Sequence, residues 1–134
     1  MTPYRTISLF LAFLFSAVGA VFLFFPDAVI SLFNGLSRPL GWPDSPPAGF
    51  HFYLILATGY MYLVALLAWL MFRHPDNGHF PFLLANGKIA SSLLSLGFFL
   101  FHAHLLIYLA NFVVDGAIGA GVLALWRKSG GGRR

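Results

Sequence analysis

From Phe80 to Trp126 the chain is apolar almost without interruption for 47 residues. A helix needs about 20 apolar residues to cross a bilayer core of roughly 30 Å, so this run is too long for one crossing and suits two. It divides near its midpoint at Phe101-His102-Ala103-His104, where two imidazoles break the apolar pattern. Two more runs precede it. Residues 7–25 carry no charge, and residues 50–72 carry only His51 among titratable bases. The predicted spans are therefore 7–25, 50–72, 82–101 and 105–126, with the last two joined by a tight turn. The expected fold class is an all-α integral membrane protein: an antiparallel four-helix transmembrane bundle, one membrane domain over residues 1–134.

Composition excludes the alternatives. With 59% apolar and 9% charged residues, a water-soluble domain could not cover its surface. A disordered chain would be poor in the apolar residues that dominate here. The absence of cysteine removes disulfide frameworks, thiolate zinc sites and iron–sulfur clusters. The first run has the flank of a secretion signal, with Arg5 before it and Val18-Gly19-Ala20 resembling a cleavage point. Apolar sequence nevertheless continues to Phe25, beyond the 7–15 residues of a signal's core, so retention as a span is expected.

A pI near 9.9 would suggest nucleic acid in a soluble protein. Here the basic residues flank apolar runs, which is the pattern of membrane topology, and no nucleic-acid partner is expected. With four spans, Arg5, Arg73, Arg127, Lys128, Arg133 and Arg134 collect on one side, while Arg38 stands on the other with Asp27 and Asp44. The positive side faces the cytoplasm, so both termini are expected there, in a bacterial inner membrane.

Between the first two spans, Pro26 ends one helix and residues 27–35 read as a short amphipathic helix in the outer interface. Asp27 suits its start, Gly35 its cap, and Val29, Ile30, Leu32 and Phe33 form its apolar side. Residues 37–49 hold four prolines and are expected to form a stiff outer loop. Tyr4, Trp42, Trp69 and Trp126 stand near span ends as interfacial anchors. The basic tail, residues 127–134, is suited to anionic lipid. Ala12, Ser16 and Ala20, with Gly19 beside them, form a small-residue stripe in the first span for close packing within the bundle or with a partner.

Two intramembrane charges stand out, because a lipid-exposed charge near the bilayer centre is costly. Lys88 falls about two turns into the third span and Asp115 near the middle of the fourth. At 1.5 Å per residue they lie roughly 9 and 16 Å from the cytoplasmic end, a difference that a lysine side chain of about 6 Å nearly bridges. Ser92 and Ser95 share the helical face of Lys88; Tyr108, Asn111 and Gly119 share that of Asp115. Gly116, Gly119, Ala120 and Gly121 would admit a close neighbour. The resulting seam has two meanings: a clasp between spans, or a relay or polar cavity floor. Tyr53 and Tyr60, seven apart on the second span, could turn their hydroxyls toward it.

His51, His102 and His104 fall at one outer level and are candidate metal or haem ligands. Residues two apart on a helix diverge by about 200°, so His102 and His104 converge only if the turn breaks the helix. The sequence contains no glycine-rich phosphate loop, HExxH, GxSxG or channel-filter motif. The functional expectation is therefore a non-enzymatic membrane protein without a cofactor. It would act through helix contacts, surrounded by lipid, as an accessory subunit of other membrane proteins or a homo-oligomer. The alternatives are a small-solute, ion or proton transporter using Lys88, Asn111 and Asp115, and a haem- or metal-bearing redox subunit.

Overall fold

The computed structural model describes residues 2–46 and 51–129, apart from the side chains of residues 51, 52 and 54. It is all-helical among those residues: α1 spans Pro3–Phe24, α2 Pro26–Ser37, α3 His51–Arg73, α4 His79–Phe101 and α5 Leu106–Lys128, with a 3₁₀ turn at Arg38–Leu40. Four of these helices are long and apolar enough to cross a membrane.

The boundaries follow local chemistry. α1 starts four residues before the apolar run, because the Thr2 hydroxyl accepts from the Arg5 amide and Pro3 occupies a first-turn position that needs no N–H donor. It stops at Phe24, since Pro26 disfavours helical backbone at Phe25 and in turn opens α2. α4 likewise begins at His79 rather than at residue 82, with Pro81 tolerated in its first turn. The interfacial helix runs past its expected end at Gly35. The Arg38 amide bonds to the Asn34 carbonyl and the Ser37 hydroxyl donates to that of Phe33 at 2.8 Å, which extends the helix to Ser37. Gly41, at φ 69°, makes the turn instead. The following strand of loop is clipped back to α2. Asn34 bonds Ser45 twice, at 2.7 and 3.0 Å, and Arg38 pairs with Asp44 at 3.1 Å. Residues 47–49 of the proline-rich loop, and 130–134 of the basic tail, lie outside the described residues.

The long helices associate as two pairs, α1 with α3 and α4 with α5, and α3 joins the pairs by packing on α4. Tyr4, Leu11 and Phe15 of α1 and Val64, Ala68 and Met71 of α3 form much of the buried core. Tyr4 is thus a core residue, not an interfacial anchor: as the second residue of α1 it is already buried against the other helices. The small-residue stripe is divided. Ala12 and Gly19 are buried, whereas Ser16 and Ala20 are exposed, because the packed face follows Tyr4, Ser8, Leu11, Phe15 and Gly19. Arg5 donates to the Phe72 carbonyl at 3.2 Å, and Trp126 packs on Gly78. The start of α1, the end of α3, the start of α4 and the end of α5 therefore gather at one end.

Candidate functional site

The α4–α5 contact is built on glycine. A Cβ added at Gly119 would lie 2.9 Å from Ile89 Cγ1 and 3.1 Å from the Ala85 carbonyl oxygen; at Gly116 it would lie 2.9 Å from Ser92 Oγ. Gly121, on another side of α5, meets nothing. This close approach brings the polar side chains of the two helices within hydrogen-bonding range.

Three rungs follow, in opposite chain order on the two helices. Lys88 Nζ lies 2.8 Å from Asp115 Oδ1, with the side chains only 4% and 6% exposed. The Ser92 hydroxyl donates to the Phe112 carbonyl at 2.7 Å. Asn111 Nδ2 donates to Ser95 Oγ at 2.7 Å and to Ser91 Oγ at 3.1 Å. Both amide hydrogens of Asn111 are thereby engaged. Tyr108, the remaining member of the predicted seam, stands apart from these rungs and packs its ring 5.8 Å from that of Phe98.

The Lys88 ammonium also lies over two rings, 4.7 Å from the Phe15 centroid on α1 and 5.2 Å from that of Tyr60 on α3. Aromatic faces attract a cation, the more so where water is excluded. One ammonium thus touches α1, α3 and α5 from its seat on α4. Ser91, Phe15 and Tyr60 extend the site beyond the predicted seam. Ser91 carried a signal, standing three residues after Lys88 and so on the same face. The two rings are brought there by the packing of one helix pair against the other. Tyr53, aligned with Tyr60 on the sequence, is exposed instead.

Against this polar cluster lies a cavity of about 400 Å³. Its polar lining is Tyr60, Lys88, Ser91, Asn111 and Asp115; its apolar walls include Phe15 and Phe22 of α1, Phe33 of α2, and Ile107 and Ala110 of α5. Among the described residues the phenolic oxygen of Tyr60 is fully buried and meets no partner in full hydrogen-bond geometry, although the Ser91 hydroxyl interacts with it. Tyr4, Thr58 and Trp126 also carry such atoms, but of these four residues only Tyr60 lines the cavity.

The histidines are engaged with aromatic rings. His102 meets Phe98 edge-on at 5.9 Å, and His104 meets Phe99 at 5.1 Å. His51 opens α3, but its side chain lies outside the described residues. Among the described residues no three His, Cys, Asp or Glu side chains come together as a metal site. The cavity, by contrast, offers hydrogen-bond donors and acceptors around an internally balanced pair of charges. No protein-family model, curated protein or solved structure matches this chain.

Proposed function

We propose that this is an integral membrane protein of a bacterial inner membrane, crossing it four times as an antiparallel bundle with both termini in the cytoplasm. Large apolar side chains such as Phe10, Phe13, Leu94 and Phe101 point outward, as suits contact with lipid. Arg5, Arg73, Arg127 and Lys128 stand at the end where α1 starts and α5 finishes, which supports the cytoplasmic assignment of that end. α2 then lies at the outer interface.

Within the bilayer the bundle works as a binding site for a small molecule, which it holds or passes across, with Lys88, Asn111 and Asp115 at the polar end. One observation carries this reading: the buried Lys88–Asp115 pair lines the cavity rather than being sealed between helices. A purely structural clasp has no need of an adjoining space that Ser91 and Asn111 line as well. Cavities of this size are typical of sites for small ligands.

Native mass spectrometry of the protein released directly from membranes tests it. The expected result is a retained small molecule of defined mass, lost in Asp115→Asn. A wild-type chain that flies without one overturns the reading. A chain that carries other protein subunits or copies of itself, and no small molecule, establishes the assembly role instead. That role has its own support in the short described connections, residues 74–78 and 102–105, which leave little outside the helices to act with.

A further inference from the structure

We infer that the cavity fills from the side: a portal between α1 and α5, at the depth of Val114, admits an uncharged molecule dissolved in the hydrocarbon of the bilayer. The inference rests on the small-molecule reading above and names the phase from which the ligand comes and the class to which it belongs.

The packing leaves this side open. Among the described residues α1 packs on α3 and α2, and α5 packs on α4 and α2, but α1 and α5 are not a packed pair. The cavity stands where that contact is missing. Leu14, Val18 and Phe22, four apart, line it from α1; Ile107, Asn111 and Val114 line it from one face of α5. Tyr60 of α3 and Lys88 of α4 stand at the back. α2, which packs on both flanking helices, covers the outer end with Phe33.

Val114 marks the opening. It lines the cavity and yet is 53% exposed on the outside of the bundle. Its neighbour Val113 is 57% exposed and takes no part in the lining. A side chain that belongs both to the wall and to the outer surface forms a rim. Val114 comes eight residues after Leu106, the first of α5, so at 1.5 Å per residue the rim lies roughly 12 Å in from the outer end of that helix. In the proposed membrane setting that depth is hydrocarbon rather than water.

Depth then restricts the ligand. An ion is costly at that level. Lys88 and Asp115 already balance each other at 2.8 Å, and no other charged residue among those described lines the cavity, so no counter-charge waits inside. A space of about 400 Å³ holds a small molecule or a single chain, not a helix about 10 Å across. An uncharged, mainly apolar molecule meets each condition and passes Val114 without leaving an apolar surrounding.

The test uses the full chain in phosphatidylcholine nanodiscs, with photolabelled residues mapped by mass spectrometry. Three probes carry a diazirine beside the head: an octyl methyl ether that dissolves in the lipid, an octyltrimethylammonium with a fixed charge, and a short sulfonate that stays in water. Flashes at set delays after mixing time the entry. The expected result is labelling of the cavity residues Met61 and Ala110 by the ether, about tenfold or more above the other two probes. Val114→Trp sets an indole at the rim and should slow that labelling about tenfold toward the same final level, whereas Val113→Trp should leave the rate within about twofold. Both valines are exposed, so neither change disturbs the core, and an unchanged helical spectrum checks the fold. Labelling by the sulfonate at or above the ether's level overturns the portal and leaves the small-molecule reading standing. The same result with the ammonium overturns the uncharged class. A final level lowered by Val114→Trp at an unchanged rate makes this residue a wall and not a rim, which also overturns the portal. Cavity residues that no probe labels overturn the inference as well, and the broader reading is then judged by the mass of any endogenous ligand.

Discussion

The two helix pairs are of similar length but are joined by different means. Between α1 and α3 the buried surface is mainly aliphatic and aromatic, with Leu11 and Phe15 meeting the side of α3 that carries Val64, Ala68 and Met71. Between α4 and α5 the contact is a ladder: an ion pair, a serine on a carbonyl, and an asparagine shared by two serines. Apolar packing degrades gradually as atoms are removed, whereas a buried polar contact is satisfied or is not. The first pair should therefore tolerate small changes, and the second should fail abruptly at single positions and recover when both partners change.

The largest effect should separate those behaviours most clearly. Asp115→Leu leaves the Lys88 ammonium buried without its counter-charge and should cost about 3–5 kcal/mol. Lys88→Met combined with Asp115→Leu removes both charges and should restore most of that loss. Thermal unfolding in detergent, followed by helical circular dichroism, measures both. Equal destabilisation by the single and double variants would show that the pair is no more than packing. Next in size is Gly119→Ala, expected to cost about 1–3 kcal/mol because its new methyl meets the Ala85 backbone oxygen as well as Ile89. Gly19→Ala in the other pair meets only the Met61 side chain, at 3.0 Å. That atom is Cβ, which a rotamer change does not move, but it is one close contact against three around Gly119, so the cost should be smaller. Similar losses at the two glycines would erase the contrast.

Asn111→Ala removes the third rung and should cost roughly 0.6–1.7 kcal/mol, the range for hydrogen bonds between helices in membranes. Ser91 and Ser95 can turn back to their own helix carbonyls, which limits the loss. The smallest effect has the opposite sign. Gly121→Ala, on the same helix as Gly119 but with open space around it, should stabilise by about 0.5–1 kcal/mol through helix propensity alone. A loss there would mean that α5 packs on something beyond this chain.

Much of this arrangement could be read from the residues in order, and the exceptions share a cause. The four apolar runs locate the long helices because length and hydropathy are local properties. The reach from Lys88 to Asp115 follows from helical rise and the short turn between their helices. The small-residue stripe of α1 enters the bundle only in part because several periodic faces compete on a helix that is apolar all round, and only the neighbour selects among them. Tyr4 was misassigned for the same reason. Phe15 and Tyr60 could not be foreseen above Lys88, since neither belongs to the helix pair that holds it. α2 outran Gly35 because a glycine permits a helix to end without requiring it.

The connection at residues 102–105 has a consequence for biogenesis. In the proposed membrane setting it is too short to let α4 settle far ahead of α5, so the two would leave the insertion machinery as one hairpin. The lysine of one arm would then meet the aspartate of the other before either reached hydrocarbon. On that reading no naked charge would enter the membrane, and a chain truncated after Phe101 would strand Lys88 and become a substrate for quality control.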